Sequence, residues 1–182
     1  MRIYTGKGDK GDTTLAGGKK VRKSDPRIAA LGSVDELNAA IGVALSFLAD
    51  KQVEPILRRV QGELFSLGAE MAAENPAELH VKPITSAHVA ALERDIAKYE
   101  PDYKGAGFVL PSGAKSAALL HLARAIARRA ERKAFAISER EKVNGEIIRY
   151  LNRISSLLFI LAIHENKFQK VAERHPSYGA KK

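Results

Sequence analysis

Two distant segments carry residue types that suit a polyphosphate ligand. Residues 5–14 read Thr-Gly-Lys-Gly-Asp-Lys-Gly-Asp-Thr-Thr, a loop rich in glycine and hydroxyl groups. Residues 124–132 place four arginines in one stretch of helical character. Glycines let backbone N–H groups approach phosphate oxygens, and each arginine offers fixed positive charge on a planar fork. Together the two segments predict an enzyme that uses ATP.

The glycine loop matches neither of the common nucleotide-binding motifs. Gly6, Gly8 and Gly11 satisfy G-x-G-x-x-G, but only five residues precede Gly6, whereas a dinucleotide fingerprint follows a strand. The Walker A pattern does not occur in the sequence. A flexible basic arm is the open alternative. The remaining candidate phosphate ligands in this segment are Thr5, Thr13 and Thr14, and the lysines Lys7, Lys10 and Lys23.

The arginine stretch predicts a cationic helix face. Arg124, Arg128 and Arg132 are spaced i, i+4 and i+8, so they share one face, with Glu131 beside them. Arg129 points elsewhere, which favours packing or an ion pair. A solvated, salt-bridged face and a helix lying on nucleic acid are the alternatives.

Other polar residues fall at helical spacing. Asp35 and Asn38 share one side of the first predicted helix, and Asp35 is a natural partner for an arginine of the fourth helix, within the chain or across a subunit contact. Arg149, Asn152 and Ser156 align on the fifth helix. Asn152 lies among apolar positions and needs hydrogen-bond partners, either a nucleotide or a neighbouring side chain.

Composition excludes several kinds of chemistry. With no cysteine, the chain has no disulfide, no thiolate metal site and no cysteine nucleophile. The five histidines show no metal-binding spacing, and no pair of carboxylates predicts a general acid and base, so we expect no metal ligands in the protein. A net charge of +9 indicates an anionic partner, but the sparse aromatics disfavour single-stranded nucleic acid.

Hydrophobic periodicity predicts a single all-α domain, a five-helix bundle that follows a glycine-rich N-terminal loop. Residues 1–24 show no period and no credible strand pair, residues 25–171 form the bundle, and residues 172–182 form a loose tail. The helices are expected to begin at Asp25-Pro26, near Val53, at Thr85 or Ser86, near Gly113 and near Asn144. They are expected to end near Leu48, at Asn75-Pro76 (which could instead kink the second helix), at Pro101, near Ala136 and near Lys170.

Three local features complete the predicted architecture. A capping box at Ser33–Glu36 indicates a second helix start. The apolar run 108–110 has no strand to pair with, so it predicts a structured loop. No apolar run approaches the roughly 20 residues that span a bilayer, and the N-terminus lacks an apolar signal region, so we expect a cytoplasmic protein without a membrane partner.

The chain resembles the PduO-type ATP:cob(I)alamin adenosyltransferases over nearly its whole length. Three separated blocks, in order and at family spacing, make this resemblance specific. The first block comprises 4–15, Lys23, Asp25, Arg27 and 32–38; the second 108–113, 121–124 and 128–132; the third 150–155. Ser112 and Ser156 depart from the glycine and aspartate that the family pattern leads us to expect.

The resemblance implies a homotrimer with active sites between subunits. It implies transfer of the 5′-deoxyadenosyl group of ATP to the cobalt of cob(I)alamin, with Mg²⁺ and release of triphosphate. The product would pass to adenosylcobalamin-dependent enzymes, and a cob(II)alamin reductase would supply the substrate. A nucleotide-binding carrier or regulator without turnover is the alternative.

The resemblance also assigns roles to residues. Asp35 and Arg124 would form an ion pair across the subunit interface, Arg128 would act on the triphosphate, and Phe108 would displace the lower axial base of the corrin. The residues implied to bind ATP are Thr5, Gly6, Lys7, Gly8, Thr13, Thr14, Lys23, Arg128, Arg129, Ala130, Glu131, Arg132 and Asn152.

Overall fold

Five α-helices dominate the part of the chain that the structure describes. The computed structural model describes residues 4, 6–73, 80, 82–103, 105 and 107–177. The helices are α1 (Pro26–Leu45), α2 (Glu54–Ala72), α3 (Ser86–Tyr99), α4 (Lys115–Ser138) and α5 (Gly145–Phe168). A short 3-10 helix, Glu100–Asp102, follows α3. The prediction of a five-helix, mainly α-helical protein is confirmed.

Helix α4 lies at the centre of the packing. Its most extensive contacts are with α5 and α1, while α3 packs on α5 and α2 packs on α1. The buried side of α4 carries small residues, Ala123, Ala127, Ala130 and Ala134, which are fully buried and let neighbouring helices approach closely. Leu122, one position before this stripe of alanines, is exposed.

The helix starts follow the capping signals, with one exception. The Asp25 side chain accepts a hydrogen bond from Arg27 N at 2.8 Å, and the Asn144 side chain caps α5 in the same way. The predicted second start at Ser33 is wrong. Helix α1 runs through this position without a break, and the Ser33 hydroxyl donates back to Ala29 O. A serine inside a helix can satisfy its hydroxyl in this manner without capping anything.

The N-terminal segment contains a small hairpin. Strands β1 (Asp12–Thr14) and β2 (Lys20–Arg22) pair antiparallel, with Thr13 opposite Val21. The expectation of no strand pair is therefore wrong for these residues, because three-residue strands are too short to show a period of two. Leu15 is buried and Ala16 bridges to Ala73 at the end of α2, so the hairpin is docked on the bundle.

Two helices, α1 and α5, are long and apolar enough to meet the length and composition test for a membrane span, contrary to the expectation from apolar runs. Most of the apolar window of α5 is buried inside the bundle. A core helix of a globular domain meets the same test for the same reason.

Loss of the α1 cap should lower stability. We expect Asp25→Ala to lower the free energy of unfolding by about 1 kcal/mol, because Arg27 N loses its acceptor at the helix N-terminus. Urea unfolding measures the change. Asp25→Ser keeps a capping oxygen and should behave like the parent chain; equal losses in both variants would contradict the capping role.

Candidate functional site

The hairpin forms one wall of a basic cavity. The cavity has a volume of about 730 Å³ and combines three lysines with two threonine hydroxyls and one carboxylate. Its lining residues are Lys7, Gly8, Asp12, Thr13, Thr14, Lys20 and Lys23. Lys20, which the sequence analysis did not select, joins through its place on β2. Gly6 lies in the turn just before this wall, and Thr5 lies outside the described residues.

The backbone of the loop is bent by a glycine. Gly11 adopts a φ of 85°, a left-handed conformation that favours glycine, and its carbonyl accepts a hydrogen bond from Lys23 N at 2.8 Å. An ion pair of 2.9 Å joins Arg22 and Asp12, which lie opposite each other on the two strands of the hairpin. The loop is thus folded back so that several cationic side chains surround one concave surface, which suits an anion.

A second cavity lies beside α4 and α5. It has a volume of about 340 Å³, and both Arg124 and Arg128 line it. Ser155 and Ser156 of α5 line the same cavity. Ser156, a departure from the family pattern, therefore sits in the arginine cavity itself.

The other members of the segment 128–132 do not share this cavity. Arg129 forms an ion pair with Glu36 of α1, as its separate direction on the helix predicted. Ala130 is fully buried in the bundle core, and its assignment to ATP binding stays a prediction. Arg132 is exposed to solvent.

Asn152 finds a protein partner. Its Nδ2 donates to Glu131 Oε1 at 2.7 Å, and its Oδ1 accepts from Arg153 at 2.9 Å. Of the two alternatives raised by the sequence, neighbouring side chains satisfy this amide. Arg149 pairs with Glu146 on its own helix rather than joining the arginine cavity.

An apolar cavity adjoins the arginine cavity. It has a volume of about 380 Å³ and is lined by Tyr103, Gly107, Phe108, Val109, His121, Arg124 and Phe159. Phe108 is 80% exposed at this site, which is unusual for a large apolar side chain that serves only the fold. Arg124, Tyr103 and Phe159 line both cavities, so the two are contiguous. Tyr103 and Phe159 were not found from sequence because neither belongs to a charged or glycine-rich motif.

The loop before α4 is held by one buried amide. Asn166 Oδ1 accepts from Ala114 N at 2.8 Å, and Asn166 Nδ2 donates to Ser112 O at 3.2 Å. Gly113 has a φ of 113°, and a Cβ at this position would lie 2.1 Å from Asn166 Oδ1. Only glycine allows the loop to approach the asparagine so closely.

The segment after α5 also contacts this loop. Leu110 N donates to Arg174 O at 2.7 Å, and His175 Nδ1 lies 3.0 Å from Phe108 O. The structure therefore differs from the expectation of a loose tail for 172–177, while 178–182 lie outside the described residues. The run 108–110 is an irregular loop, as predicted, and the C-terminal segment supplies its hydrogen-bond partners.

Arg124 and Asp35 do not meet within the chain. Arg124 Nε is buried without a hydrogen-bond partner among the described residues, and burial together with the charge of Arg128 lowers the pKa of Arg124. Asp35 is exposed and lines a different groove, between α1 and α2, and no ion pair of Asp35 occurs in the described part of the chain. Among the described residues, neither the Arg124 guanidinium nor the Asp35 carboxylate has a counterion.

His121 is a neutral, unpartnered side chain in the apolar cavity. It is 2% exposed, and neither ring nitrogen has a hydrogen-bond partner among the residues described. Burial, helped by the positive charge of Arg124, lowers the pKa of His121 from 6.5 to about 4. Near neutral pH this imidazole therefore adds no charge to the cavity.

The two basic segments line separate cavities within one chain. The hairpin cavity shares no lining residue with the arginine cavity. Across the described ranges, no group of three or more His, Cys, Asp or Glu is placed to hold a metal ion.

Comparison with known proteins gives a consistent family. Residues 3–165 match the family model described as cobalamin adenosyltransferase. The corrinoid adenosyltransferase PduO of Salmonella typhimurium is 37% identical over 91% of this chain and 50% of the relative. The corrinoid adenosyltransferase of Bacillus subtilis is 39% identical over 89% of this chain and 85% of the relative. The chain spans about half the length of the PduO relatives from Salmonella typhimurium and Citrobacter freundii.

Solved structures share the fold. A phenylalanine-to-alanine variant of the PduO-type ATP:corrinoid adenosyltransferase from Lactobacillus reuteri, complexed with cobalamin and ATP, superposes with a TM-score of 0.88 at 32% identity, covering 95% of this chain and 98% of that one. An arginine-to-lysine variant of the same enzyme, complexed with ATP, gives a TM-score of 0.89 at 33% identity, covering 97% and 100%.

The buried imidazole should make stability depend on pH. Because the folded pKa of His121 lies near 4 and the ordinary value is 6.5, the unfolded chain binds a proton in that window that the folded chain does not. Stability should therefore fall as the pH is lowered from about 6.5 to about 4, by up to about 3 kcal/mol from this group. Urea unfolding at several pH values measures this slope. His121→Gln should flatten it and His80→Gln, at an exposed site, should not; an unchanged slope in His121→Gln would contradict the assignment.

Proposed function

We propose that this chain, which belongs to the cobalamin adenosyltransferase family, transfers the 5′-deoxyadenosyl group of ATP to the cobalt of cob(I)alamin and releases triphosphate. The observation that carries the proposal is the contiguity of an apolar cavity at Phe108 with a cavity lined by Arg124 and Arg128. A flat apolar corrin requires an apolar surface, and the anionic leaving group requires a cationic surface that adjoins it.

The complete site would be assembled from two subunits of a homotrimer. Within one chain, the hairpin cavity and the arginine cavity share no residue, although both suit phosphate. A neighbouring subunit that brings its hairpin to this arginine face would join the two halves. The same contact would pair Asp35 with Arg124, which neutralises a partly buried cation and a carboxylate that are each unpaired within the described chain.

The reaction needs positioning and charge stabilisation more than proton transfer. The cobalt(I) lone pair attacks C5′ of ATP, a cobalt–carbon bond forms, and the carbon–oxygen bond breaks with its electron pair leaving on triphosphate. Cob(I)alamin is already a strong nucleophile, so no activated side chain is required. Arg128 and two lysines of the hairpin cavity, Lys7 and Lys23, would stabilise the charge on the leaving group. Fixed geometry would hold C5′ in line with cobalt.

Mg²⁺ fits this site as a companion of the phosphates. Such an ion is usually held by one or two protein oxygens, substrate phosphates and water. The side chains of the hairpin cavity that offer oxygen ligands are Asp12, Thr13 and Thr14. Bound there, Mg²⁺ would neutralise part of the triphosphate charge.

Phe108 would act as the wedge that keeps the lower axial base away from cobalt. The side chain stands exposed beside the apolar cavity, while its backbone is held through the C-terminal segment. Without a lower ligand, Co(II) is easier to reduce to Co(I). We place the protein in the cytoplasm, with a cob(II)alamin reductase upstream and adenosylcobalamin-dependent enzymes downstream.

An anaerobic spectral assay with cob(I)alamin, Mg-ATP and purified protein tests the proposal. Enzyme-dependent loss of the cob(I)alamin absorption band, with light-sensitive adenosylcobalamin and triphosphate formed, would support it. Tight ATP binding without turnover would favour a carrier or regulator instead. If the protein neither binds ATP nor catalyses the reaction, both the enzyme and the carrier or regulator are ruled out.

Removing the arginine at the triphosphate should slow turnover. We expect Arg128→Ala to lower kcat/KM about tenfold or more, because a charge-assisted hydrogen bond is worth roughly 1.5–3 kcal/mol. Steady-state kinetics from cob(I)alamin measure the effect. Arg94→Ala, at an exposed arginine of α3, removes the same charge elsewhere and should leave the rate unchanged. Parent-like kinetics in folded Arg128→Ala would remove the proposed role.

Truncation of Phe108 should affect the reactions of cob(II)alamin and cob(I)alamin to different degrees. We expect Phe108→Ala to slow the reaction from cob(II)alamin, with reduced flavin as electron donor, far more than the reaction from pre-reduced cob(I)alamin. Only the Co(II) route needs the lower base displaced before reduction. Parallel assays from both substrates measure the ratio. Equal losses in the two assays would count against displacement of the base, and Leu122→Ala provides an exposed apolar control on α4.

A further inference from the structure

A cluster of charged side chains lies beyond both cavities, where the 3-10 helix meets the C-terminal half of α5. His164 Nε2 is 2.8 Å from Asp50 Oδ2, and His164 Nδ1 is 2.6 Å from Asp102 Oδ2. Lys167 also forms an ion pair with Asp102. The side chains of His164, Asp50 and Asp102 are only 15%, 11% and 17% exposed. Each ring nitrogen of His164 therefore lies within hydrogen-bond distance of a carboxylate oxygen, so the imidazole bridges Asp50 and Asp102.

The electrostatics agree with ionised carboxylates. Burial alone would raise the pKa of Asp102, but hydrogen bonds from Lys167 and His164 and their positive charges lower it below its ordinary value. For Asp50, burial is likewise outweighed, by hydrogen bonds from Gln52 N and His164 and by the charges of His164 and Lys98.

The two carboxylates differ in what else holds their segments. On the Asp50 side, Glu165 accepts hydrogen bonds from Ala49 N at 3.1 Å and Asp50 N at 3.0 Å, so this loop is fixed to α5 without His164. On the other side, the Asp102 side chain joins the 3-10 helix to α5 through two side chains, His164 and Lys167. Loss of the His164 contact is therefore expected to displace the 3-10 helix more than the loop that carries Asp50.

The 3-10 helix leads directly to the apolar cavity. Tyr103 follows Asp102, and its hydroxyl donates to Gly107 O at 2.8 Å, next to Phe108. The ring of Tyr103 also meets the ring of Phe159 edge-on, with centroids 5.5 Å apart. Any movement of Asp102 would thus be passed through Tyr103 to the backbone that carries Phe108.

We propose that Asp102, held by His164 and Lys167, is a positioning residue that sets the placement of Phe108 through Tyr103. This inference rests on the proposed role of Phe108 as the wedge against the lower axial base. The pairing keeps Tyr103 against Gly107 and so keeps Phe108 where it excludes the base. Cob(I)alamin, which carries no lower ligand, does not depend on this placement to the same degree.

A matched pair of variants tests the proposal. Asp102→Asn and Asp50→Asn each remove one carboxylate charge from the same imidazole, but only Asp102 belongs to the 3-10 helix. We expect Asp102→Asn to slow the reaction from cob(II)alamin with reduced flavin about tenfold, a change that corresponds to about 1.4 kcal/mol, and to alter the cob(I)alamin rate much less. Asp50→Asn should lower both rates by the same factor or by none.

A spectroscopic measurement gives a readout apart from turnover. The EPR spectrum of cob(II)alamin shows splitting from the axial nitrogen while the lower base is attached. With Mg-ATP bound, that splitting should disappear in the parent protein and in Asp50→Asn, and should persist in Asp102→Asn. Loss of the splitting in Asp102→Asn would overturn the positioning role.

Phe108→Ala, measured in parallel, separates the two proposals. If Phe108→Ala shows no difference between the cob(II)alamin and cob(I)alamin routes, the wedge role and this inference both fall. If Phe108→Ala shows the difference but Asp102→Asn behaves like Asp50→Asn, only this inference is overturned. If Asp102→Asn fails to fold, Lys167→Met, at an exposed position, is measured in its place. A cob(II)alamin rate that falls more than the cob(I)alamin rate supports the role, and equal changes in the two rates overturn it.

Discussion

The close packing of α4 between α1 and α5 is the constraint on which the rest of the structure depends. One side of α4 is a stripe of alanines, which brings both neighbours near. Its other side then has no space in the core and faces the cavities with Arg124 and Arg128. Larger core residues on α4 would separate the helices and move both the arginines and the serines of α5 that line the same cavity.

The sequence predicted the helices well because their signals are local. Periodicity, Asp25, Asn144 and Thr85 placed the helix starts to within one or two residues. The failures involve contacts that no local pattern encodes. Ser33 looks like a cap but is satisfied within α1, and the hairpin strands are shorter than the window in which a period can be read.

The candidate site was predicted in its charged parts and missed in its uncharged ones. The arginines and the glycine loop are recognisable because few structural roles require such residues at such spacing. Tyr103 and Phe159 look like ordinary core residues, and they reach the cavity only through the course of the chain after α3. The pairing of Asp50 and Asp102 on His164 joins positions far apart in sequence, so spacing alone could not reveal it. The glycine at 113 could be seen, but its reason, Asn166, could not.

Helix α5 contributes side chains to the arginine cavity, to the apolar cavity and to the segments that border them. Asn152 supports Glu131, Ser156 and Phe159 line cavities, His164 holds the 3-10 helix, and Asn166 holds the loop before α4. These contacts depend on one helical register, in which each added residue rotates all later side chains by about 100°. A single-residue insertion within α5 would therefore rotate the later contact residues out of register with the earlier ones. It would leave composition and helix propensity almost unchanged. The turn between α4 and α5 precedes all these contacts, so a change in its length leaves their spacing along α5 unchanged.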